Sequence, residues 1–341
     1  MPIQRVQEAI EEIKRGNMVV MIDDEDRENE GDIVYASTFS TPEYVNFMAT
    51  HAKGLICVAV NPDIATRLEL NPMVTSNDSS YETAFTVSVD AKDATTGISA
   101  GERDMTIKLL GNPLSSPRDL VRPGHIFPLI AKEGGTLVRT GHTEGSVDLC
   151  RLSGLISSAV ICEIMKDDGE MARRDDLETF AKKHDLKIVY IADIVEYRLR
   201  NETLVQETSV EDIEFFGTKV QKHNFVDHEK NEHYAISFYK THSIENVKVH
   251  NIGSDFDLLT NGKRYTALVE SIEYLKQNGG VLVFINSEEH HQTNMKEYGV
   301  GAQILKSLGV EKIRLISSSK GTEFVSLGGF GLEIVETIIL P

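Results

Sequence analysis

Short apolar runs alternate with helical patterns along most of this chain of 341 residues. Ile3, Val6, Ile10 and Ile13 recur at helical spacing, and the apolar run 18–22 that follows them is typical of a buried strand. Strands that alternate with helices predict a layered α/β fold. In the first part of the chain, the predicted strands are 18–22, 55–60, 84–89, 126–130, 159–165 and 187–191, and the predicted helices are 41–54, 102–110, 175–183 and one that starts near Thr143.

The length and one polar interruption predict two domains. At roughly 150 residues per domain, a chain of this size corresponds to two. The alternation lapses in the polar stretch 201–208, which we interpret as a linker between domains at 1–200 and 209–341. The second domain is smaller and again α/β, with predicted strands at 233–240, 280–286, 312–317 and 334–340 and helices at 264–277 and 294–308.

The charge of the chain excludes two classes of partner. Asp and Glu number 53 and Lys and Arg 35, so the formal net charge is -18. We therefore expect no binding to nucleic acid or to an anionic membrane surface. No apolar run approaches the length of a membrane-spanning helix, and the N-terminal segment is typical of an amphipathic helix and not of a signal peptide. An acidic protein that handles an anionic substrate must concentrate its positive charge locally.

Cysteine usage indicates a reducing compartment. Cys57, Cys150 and Cys162 lie inside apolar runs, and their number is odd. Reduced thiols in a cytoplasmic protein explain this pattern better than a disulfide framework does.

An acidic segment directly follows the first predicted strand. Seven of the ten residues 23–32 are Asp or Glu, with an Arg at the centre of the run. If the segment is extended, Glu28, Glu30 and Asp32 point to one side, because side chains alternate along an extended chain. Converging carboxylates suit a hard cation such as Mg²⁺, which keeps water and substrate as its other ligands. The alternative is a solvated charged turn. A calcium loop is rejected, because Ser37 occupies the position that needs a bidentate Glu.

Five further segments of the chain match the same family in the same order as the acidic segment. Together they resemble the 3,4-dihydroxy-2-butanone 4-phosphate synthase family across about 200 residues. Glu102 departs conservatively from the family, which usually has Asp there. The matching segments are 24–32, 95–100, 122–128, 139–144, 162–164 and 167–173, with Glu102-Arg103 between the second and third.

The resemblance implies a metal-dependent lyase that converts D-ribulose 5-phosphate to L-3,4-dihydroxy-2-butanone 4-phosphate and formate in riboflavin biosynthesis. It implies that Glu28 and His142 bind Mg²⁺ or Mn²⁺, and both residues also belong to the implied substrate site. The other substrate-binding residues that it implies are Arg27, Asp32, Thr95, Arg139, Thr140, Gly141, Thr143 and Glu163. Arg139, Gly141 and Thr143 would hold the phosphate, because free backbone N–H groups and an Arg suit that anion.

The same resemblance implies the catalytic residues. Glu163 ends an apolar strand and would exchange protons with substrate, and His125, in a rigid Pro-Gly turn, would shuttle or position a proton. Asp32 and Cys57 match family positions close to the substrate, although a buried thiol is by default a small apolar side chain. The loop that contains Thr95 and Ser99 would complete the site across a homodimer interface.

The second domain resembles GTP cyclohydrolase II from about Ser209 onward, most clearly at 298–305, 308–310 and 329–335. That chemistry requires a zinc site of three cysteines, but no cysteine follows Cys162. Adjacent His290 and His291 point apart on a strand or helix and make a poor zinc site, and Lys296 stands where the family has a catalytic Arg. We therefore expect no zinc and a domain without cyclohydrolase activity. The alternatives are a bifunctional enzyme with GTP cyclohydrolase II activity, or a metal- or nucleotide-binding regulatory protein.

Overall fold

A computed structural model describes residues 2–25, 27–227, 230–238, 244–260, 262–286, 294–317 and 332–340, apart from the side chains of 257 and 294–298. The described residues divide into two compact units at Tyr197/Arg198, and each unit is built on one seven-stranded mixed sheet with helices. The predicted α/β class is therefore correct for both. No described helix combines the length and apolar character needed to cross a membrane.

The sheet of the first unit has the strand order β4-β5-β3-β6-β2-β1-β7. Its strands are β1 (Val19–Ile22), β2 (Gly31–Ala36), β3 (Cys57–Val60), β4 (Val89–Ala91), β5 (Leu120–Ile130), β6 (Ser158–Glu163) and β7 (Lys187–Tyr190). The helices are α1 (Pro2–Lys14), α2 (Pro42–Phe47), α3 (Pro62–Arg67), α4 (Ala100–Leu110), α5 (His142–Leu152), α6 (Arg174–His184) and α7 (Ile191–Asn201).

Helices cover both faces of this sheet, which explains why β1 and β2 are buried along their whole length. Alternate residues of each strand enter two separate cores: Val20 joins the core with α2, α3, α4 and α6, whereas Val19 joins the core with α1 and α5. The central strands are therefore held firmly, and the loops at their ends can carry chemistry.

The second unit repeats the layered arrangement in the strand order β14-β13-β11-β12-β10-β9-β8. Leu268, Ile272 and Leu275 of its longest helix pack on the sheet. Its strands are β8 (Val205–Phe215), β9 (Thr218–Asp227), β10 (Glu232–Phe238), β11 (Glu245–Ile252), β12 (Gly280–Asn286), β13 (Lys312–Ser317) and β14 (Glu333–Ile339), and its helices are α8 (Asp255–Thr260), α9 (Gly262–Asn278) and α10 (Asn294–Ser307).

Several predicted bounds differ from the structure. The stretch 201–208 is not a free linker, because α7 extends to Asn201 and Val205 already pairs with Asp227 in the second sheet. The predicted strand 84–89 is displaced to Val89–Ala91, where the pairing with β5 is irregular. The predicted helix 41–54 ends at Phe47 and continues as a π-helical turn over Met48–Ala52. Strand β2, for which no strand was predicted, lies inside the first sheet, between β6 and β1.

Candidate active site

The acidic segment is the loop of the antiparallel β1–β2 hairpin, closed by the pairing of Ile22 with Gly31. Asp23 organises this loop from its buried position. Its carboxylate accepts hydrogen bonds from the Arg27 guanidinium at 2.7 Å, from the Glu28 N–H at 3.2 Å and from the Glu30 N–H at 2.8 Å. Sequence reasoning missed this role, because it depends on backbone donors that the folded loop brings together.

Asp23, Glu28 and His142 form a cluster whose potential ligand atoms all lie within 4.8 Å of one another. The two predicted metal ligands, Glu28 and His142, are thus neighbours, with Glu28 Oε2 and His142 Nδ1 3.8 Å apart. Arg27 also contacts Glu28, at 2.8 Å.

Glu30 does not join this cluster as predicted. Asn29 has a φ of 54°, so the loop is not extended there and the expected alternation of side chains is broken. Glu30 instead lies 3.6 Å from the Arg173 guanidinium. The second carboxylate beside Glu28 is therefore that of Asp23 and not that of Glu30.

Asp32, the second residue of β2, lies on the other side of the His142 ring. Its Oδ1 is 3.9 Å from His142 Nε2, and both atoms are buried without a hydrogen-bond partner. Such buried atoms cost free energy unless a ligand satisfies them. The strand register also places Asp32 directly opposite Glu163 of β6.

Burial and the charges of the cluster together shift the pKa values of Glu28, Asp32 and His142. Burial alone would raise the pKa of Glu28, but His142 and Arg27 outweigh it and lower that pKa to about 2. Burial raises the pKa of Asp32 to about 7. Burial alone would lower the pKa of His142, but Asp32, Glu28 and Asp23 raise it to about 9. Without a cation, this buried acidic cluster therefore retains a proton on His142 at neutral pH.

The cluster fits a divalent cation. Carboxylate oxygens and an imidazole nitrogen are donors that Mg²⁺ and Mn²⁺ accept. Asp32 Oδ1 and His142 Nε2, at the other edge of the ring, are two further buried atoms that the described residues leave unpartnered.

Glu163 lies at the end of β6, and its Oε2 accepts the Leu55 N–H at 2.8 Å. Gly54 crosses directly over this carboxylate, so a Cβ at position 54 would collide with it. Cys57 of β3 is buried, and burial together with the nearby carboxylates of Glu163 and Asp32 raises the pKa of its thiol. Cys57 is therefore held as a neutral thiol.

Helix α5 begins at His142 and carries the predicted phosphate-binding residues at its N-terminus. Gly141 is the N-cap, and the first backbone N–H groups of a helix attract anions. Arg139 crosses over Gly141, where a Cβ would collide with the guanidinium, and pairs with the buried Glu144 at 2.5 Å. Thr143 is buried and Thr140 half-buried. Glu144 lies in the matched segment 139–144, but its pairing with Arg139 was not predicted.

His125 on β5 is bound by Asp90, another residue that sequence reasoning missed. Asp90 Oδ1 accepts the backbone N–H of His125, and Asp90 Oδ2 lies 2.8 Å from Nδ1 of its ring. Gly97 packs so closely on this pair that a Cβ there would strike both side chains. The carboxylate fixes the ring and favours a proton on Nδ1, which leaves Nε2 to exchange protons.

The loop that contains Thr95 is organised by Glu102. Its carboxylate accepts the backbone N–H and the hydroxyl of Thr95, both at 2.6 Å, and the hydroxyl of Ser99 at 3.2 Å. These hydrogen bonds lower the pKa of Glu102 to about 2.

The structure brings Arg27, Glu28, Asp32 and His142 into one cluster, and Glu163 pairs with Asp32 in the sheet. Arg139 lies three residues before α5, and its guanidinium pairs with Glu144 in the first turn of that helix. In the part of the chain that the structure describes, no hydrogen bond or ion pair joins His125 or Thr95 to the cluster. His290, His291 and the side chain of Lys296 lie outside the described residues.

Comparison with known proteins identifies relatives of both units. Residues 7–197 match the family model of 3,4-dihydroxy-2-butanone 4-phosphate synthase, and residues 286–339 match that of GTP cyclohydrolase II. A 3,4-dihydroxy-2-butanone 4-phosphate synthase of Sulfurospirillum multivorans is 59% identical over 98% of this chain and 94% of its own length.

Two solved structures are similar to the chain. The crystal structure of RibBX, a two-domain 3,4-dihydroxy-2-butanone 4-phosphate synthase from A. baumannii, has a TM-score of 0.83 and 40% identity and covers 98% of this chain and 99% of that one. A 3,4-dihydroxy-2-butanone 4-phosphate synthase solved in complex with two magnesium ions has a TM-score of 0.56 and 40% identity, over 58% of this chain and 97% of that one.

Proposed function

The chain belongs to the 3,4-dihydroxy-2-butanone 4-phosphate synthase family of riboflavin biosynthesis, and we propose that it converts D-ribulose 5-phosphate to L-3,4-dihydroxy-2-butanone 4-phosphate and formate. This lyase reaction balances without a further reactant, because the five carbons of the substrate become a four-carbon product and formate. The observation that carries the proposal is the cluster of Asp23, Glu28 and His142, whose potential ligand atoms all lie within 4.8 Å of one another.

Glu28 and His142 would hold Mg²⁺ or Mn²⁺, with Asp23 as a second carboxylate beside them. When bound, the ion would polarise the ketose carbonyl and stabilise the negative charge that develops next to it. Arg27 keeps Glu28 in place for this role, since its guanidinium contacts both Glu28 and Asp23.

The phosphate of the substrate would bind at the N-terminus of α5. Arg139 supplies positive charge there, and Glu144 fixes the orientation of its guanidinium. The backbone N–H groups of the first turn after the N-cap Gly141 favour an anion there, and Thr140 and Thr143 add hydroxyl groups.

The proton transfers fall to Asp32, Glu163 and His125. Asp32 has a pKa near neutrality, which suits a group that both takes up and returns a proton. Glu163 faces it across the strand pair, so two carboxyl groups flank one site. His125 can deliver a proton from Nε2 while Asp90 holds its Nδ1.

Formate release tests the proposal. The protein should release formate from D-ribulose 5-phosphate with Mg²⁺, lose that activity with EDTA and regain it when excess Mg²⁺ is added. Formate release that EDTA leaves unchanged would contradict the metal assignment, and no formate at all would contradict the function.

For the second unit, we propose that GTP cyclohydrolase II activity is absent. The sequence supports this, because no cysteine follows Cys162 and three are needed for the zinc site. The full chain should release no formate from GTP and should hold no zinc. Stoichiometric zinc together with GTP-dependent formate release would favour the bifunctional alternative.

We also propose a cytoplasmic homodimer in which the Thr95 loop completes the site of the partner. Glu102 holds this exposed loop in a defined conformation, as a loop that contacts a partner would need. Sedimentation equilibrium should give twice the chain mass, and a monomer that is fully active would contradict the proposal.

A further inference from the structure

Tyr81 lies in an exposed segment of the first unit, residues 71–83, and contacts two arginines that the proposed function uses. Its side chain reaches Arg27 at the cation end of the site, and its backbone carbonyl reaches Arg139 at the phosphate end. No motif of the sequence points to this residue. Its contacts connect two parts of the site that are far apart in the chain.

At the cation end, Tyr81 binds Arg27 in two ways. The phenol hydroxyl donates a hydrogen bond to the Arg27 carbonyl at 2.8 Å. The ring centroid lies 5.0 Å from the Arg27 Cζ, a cation–π distance. Because the Arg27 guanidinium also holds Asp23 and Glu28, Tyr81 bears on the position of the proposed metal ligand.

At the phosphate end, the Tyr81 carbonyl accepts two hydrogen bonds from Arg139, at 3.1 Å from Nε and at 2.9 Å from a terminal nitrogen. The same terminal nitrogen lies 3.2 Å from the Thr83 hydroxyl, and the other terminal nitrogen pairs with Glu144. Each guanidinium nitrogen of Arg139 therefore has a partner, and two of the three are bound by residues 81–83.

We propose that Tyr81 is a positioning residue that fixes the spacing between the cation end and the phosphate end of the site. The inference rests on the proposed function, because a sugar phosphate must contact both ends at once. A site with its charged groups already in place binds such a ligand with less loss of conformational freedom. Tyr81 does not touch the groups assigned to proton transfer, so it acts on substrate binding and not on the chemical step.

Tyr81→Phe tests the inference with minimal disturbance, since it removes only the hydroxyl of a side chain that is 43% exposed. We expect the KM for ribulose 5-phosphate to rise about fivefold, the equivalent of one ordinary hydrogen bond. The kcat and the melting temperature should stay at their wild-type values. Tyr81→Leu also removes the ring from Arg27 and should raise KM about tenfold or more.

Tyr265→Phe is the matched control, because Tyr265 of the second unit is 46% exposed. It should leave KM and kcat unchanged. An unaltered KM in Tyr81→Phe would overturn the inference and show that Tyr81 only anchors an exposed loop. A fall in kcat at constant KM would also overturn it, since Tyr81 would then act in the chemical step.

A separate titration distinguishes failure of the inference from failure of the proposed function. If the wild-type protein releases no formate, the proposed function fails. The affinity for inorganic phosphate, followed by ³¹P NMR, still tests Tyr81, because Tyr81→Phe should weaken phosphate binding by loosening Arg139. Equal phosphate affinity in the two proteins, or no phosphate binding by the wild type, would overturn the inference.

Discussion

His142 in the first unit and His250 in the second are both buried, with 7% and 9% of their surface exposed, but their neighbours carry opposite charges. Asp32, Glu28 and Asp23 surround His142 and raise its pKa to about 9. Burial lowers the pKa of His250 to about 4, and the positive charges of Arg264 and Lys248 contribute to the fall.

Burial alone therefore does not decide whether a histidine is suited to bind a cation. His142 lies in a cluster with excess negative charge and an unpartnered ring nitrogen, which together call for a cation. His250 lies against cations and the Phe284 ring, where a positive ion would be repelled. Four predictions test this contrast, in order of decreasing effect.

Replacement of His142 and of His250 should have the most different effects on activity. His142→Ala should lower kcat/KM at least about a thousandfold, because a metal ligand is lost where charge develops in the reaction. His250→Leu, the matched variant in the second unit, should leave formate release unchanged. Steady-state assays with saturating Mg²⁺ measure both, and equal losses in the two variants would contradict the assignment of the site to the first unit.

His125 differs from both of these histidines, because among the described residues a single carboxylate, that of Asp90, contacts its ring. Asp90→Asn should lower kcat about 10- to 100-fold with little change in KM, since the amide no longer selects the tautomer that leaves Nε2 reactive. A kcat that remains at the wild-type value would show that Asp90 has no part in catalysis.

Acid should destabilise the second unit through His250. Its folded pKa lies below the unfolded value of about 6.5, so its contribution is intact above pH 6.5 and is lost as the pH falls towards 4. With allowance for partial screening by solvent, we expect a loss of about 2 kcal/mol over this range.

Hydrogen-exchange protection factors of β11 at pH 7 and pH 4.5 measure this loss. His250→Leu should show a smaller decrease than the wild type, because leucine takes up no proton when the unit unfolds. Identical decreases in the two proteins would contradict the prediction.

His142 should behave in the opposite sense and link metal binding to proton release. A neutral imidazole must bind the ion, so the proton held below pH 9 has to leave. Between pH 7 and 9 the affinity for Mn²⁺ should therefore rise about tenfold per pH unit. Titration calorimetry in two buffers of different ionisation enthalpy counts the protons, and a count of zero would contradict the prediction.

Much of this arrangement could be predicted from the chain itself. The first strand, the acidic segment after it and the layered α/β class follow from local patterns of apolar and polar residues. Glu28 and His142 were predicted as neighbours only through the resemblance to a family, because they are far apart in sequence and no local pattern links them.

The residues that were missed share one physical cause. Asp23 and Asp90 act through backbone N–H groups and a ring that the fold supplies, and nothing local distinguishes them from other acids.

Strand β2 was missed because both of its faces are buried, which removes the alternation of polar and apolar residues that predicts a strand. The apolar run from Ile33 to Ala36, directly after Asp32, was the available signal.

The position of the β1–β2 hairpin inside the sheet constrains how this protein can vary. Both ends of the acidic loop continue into strands with neighbours on either side, so neither end can slide to absorb an insertion. One added or deleted residue that shifted β2 by a single position would turn Asp32 away from His142 and exchange the two faces of the strand. Natural variants should therefore tolerate substitutions at exposed loop positions such as Glu25 far better than any change in the number of residues between Ile22 and Gly31.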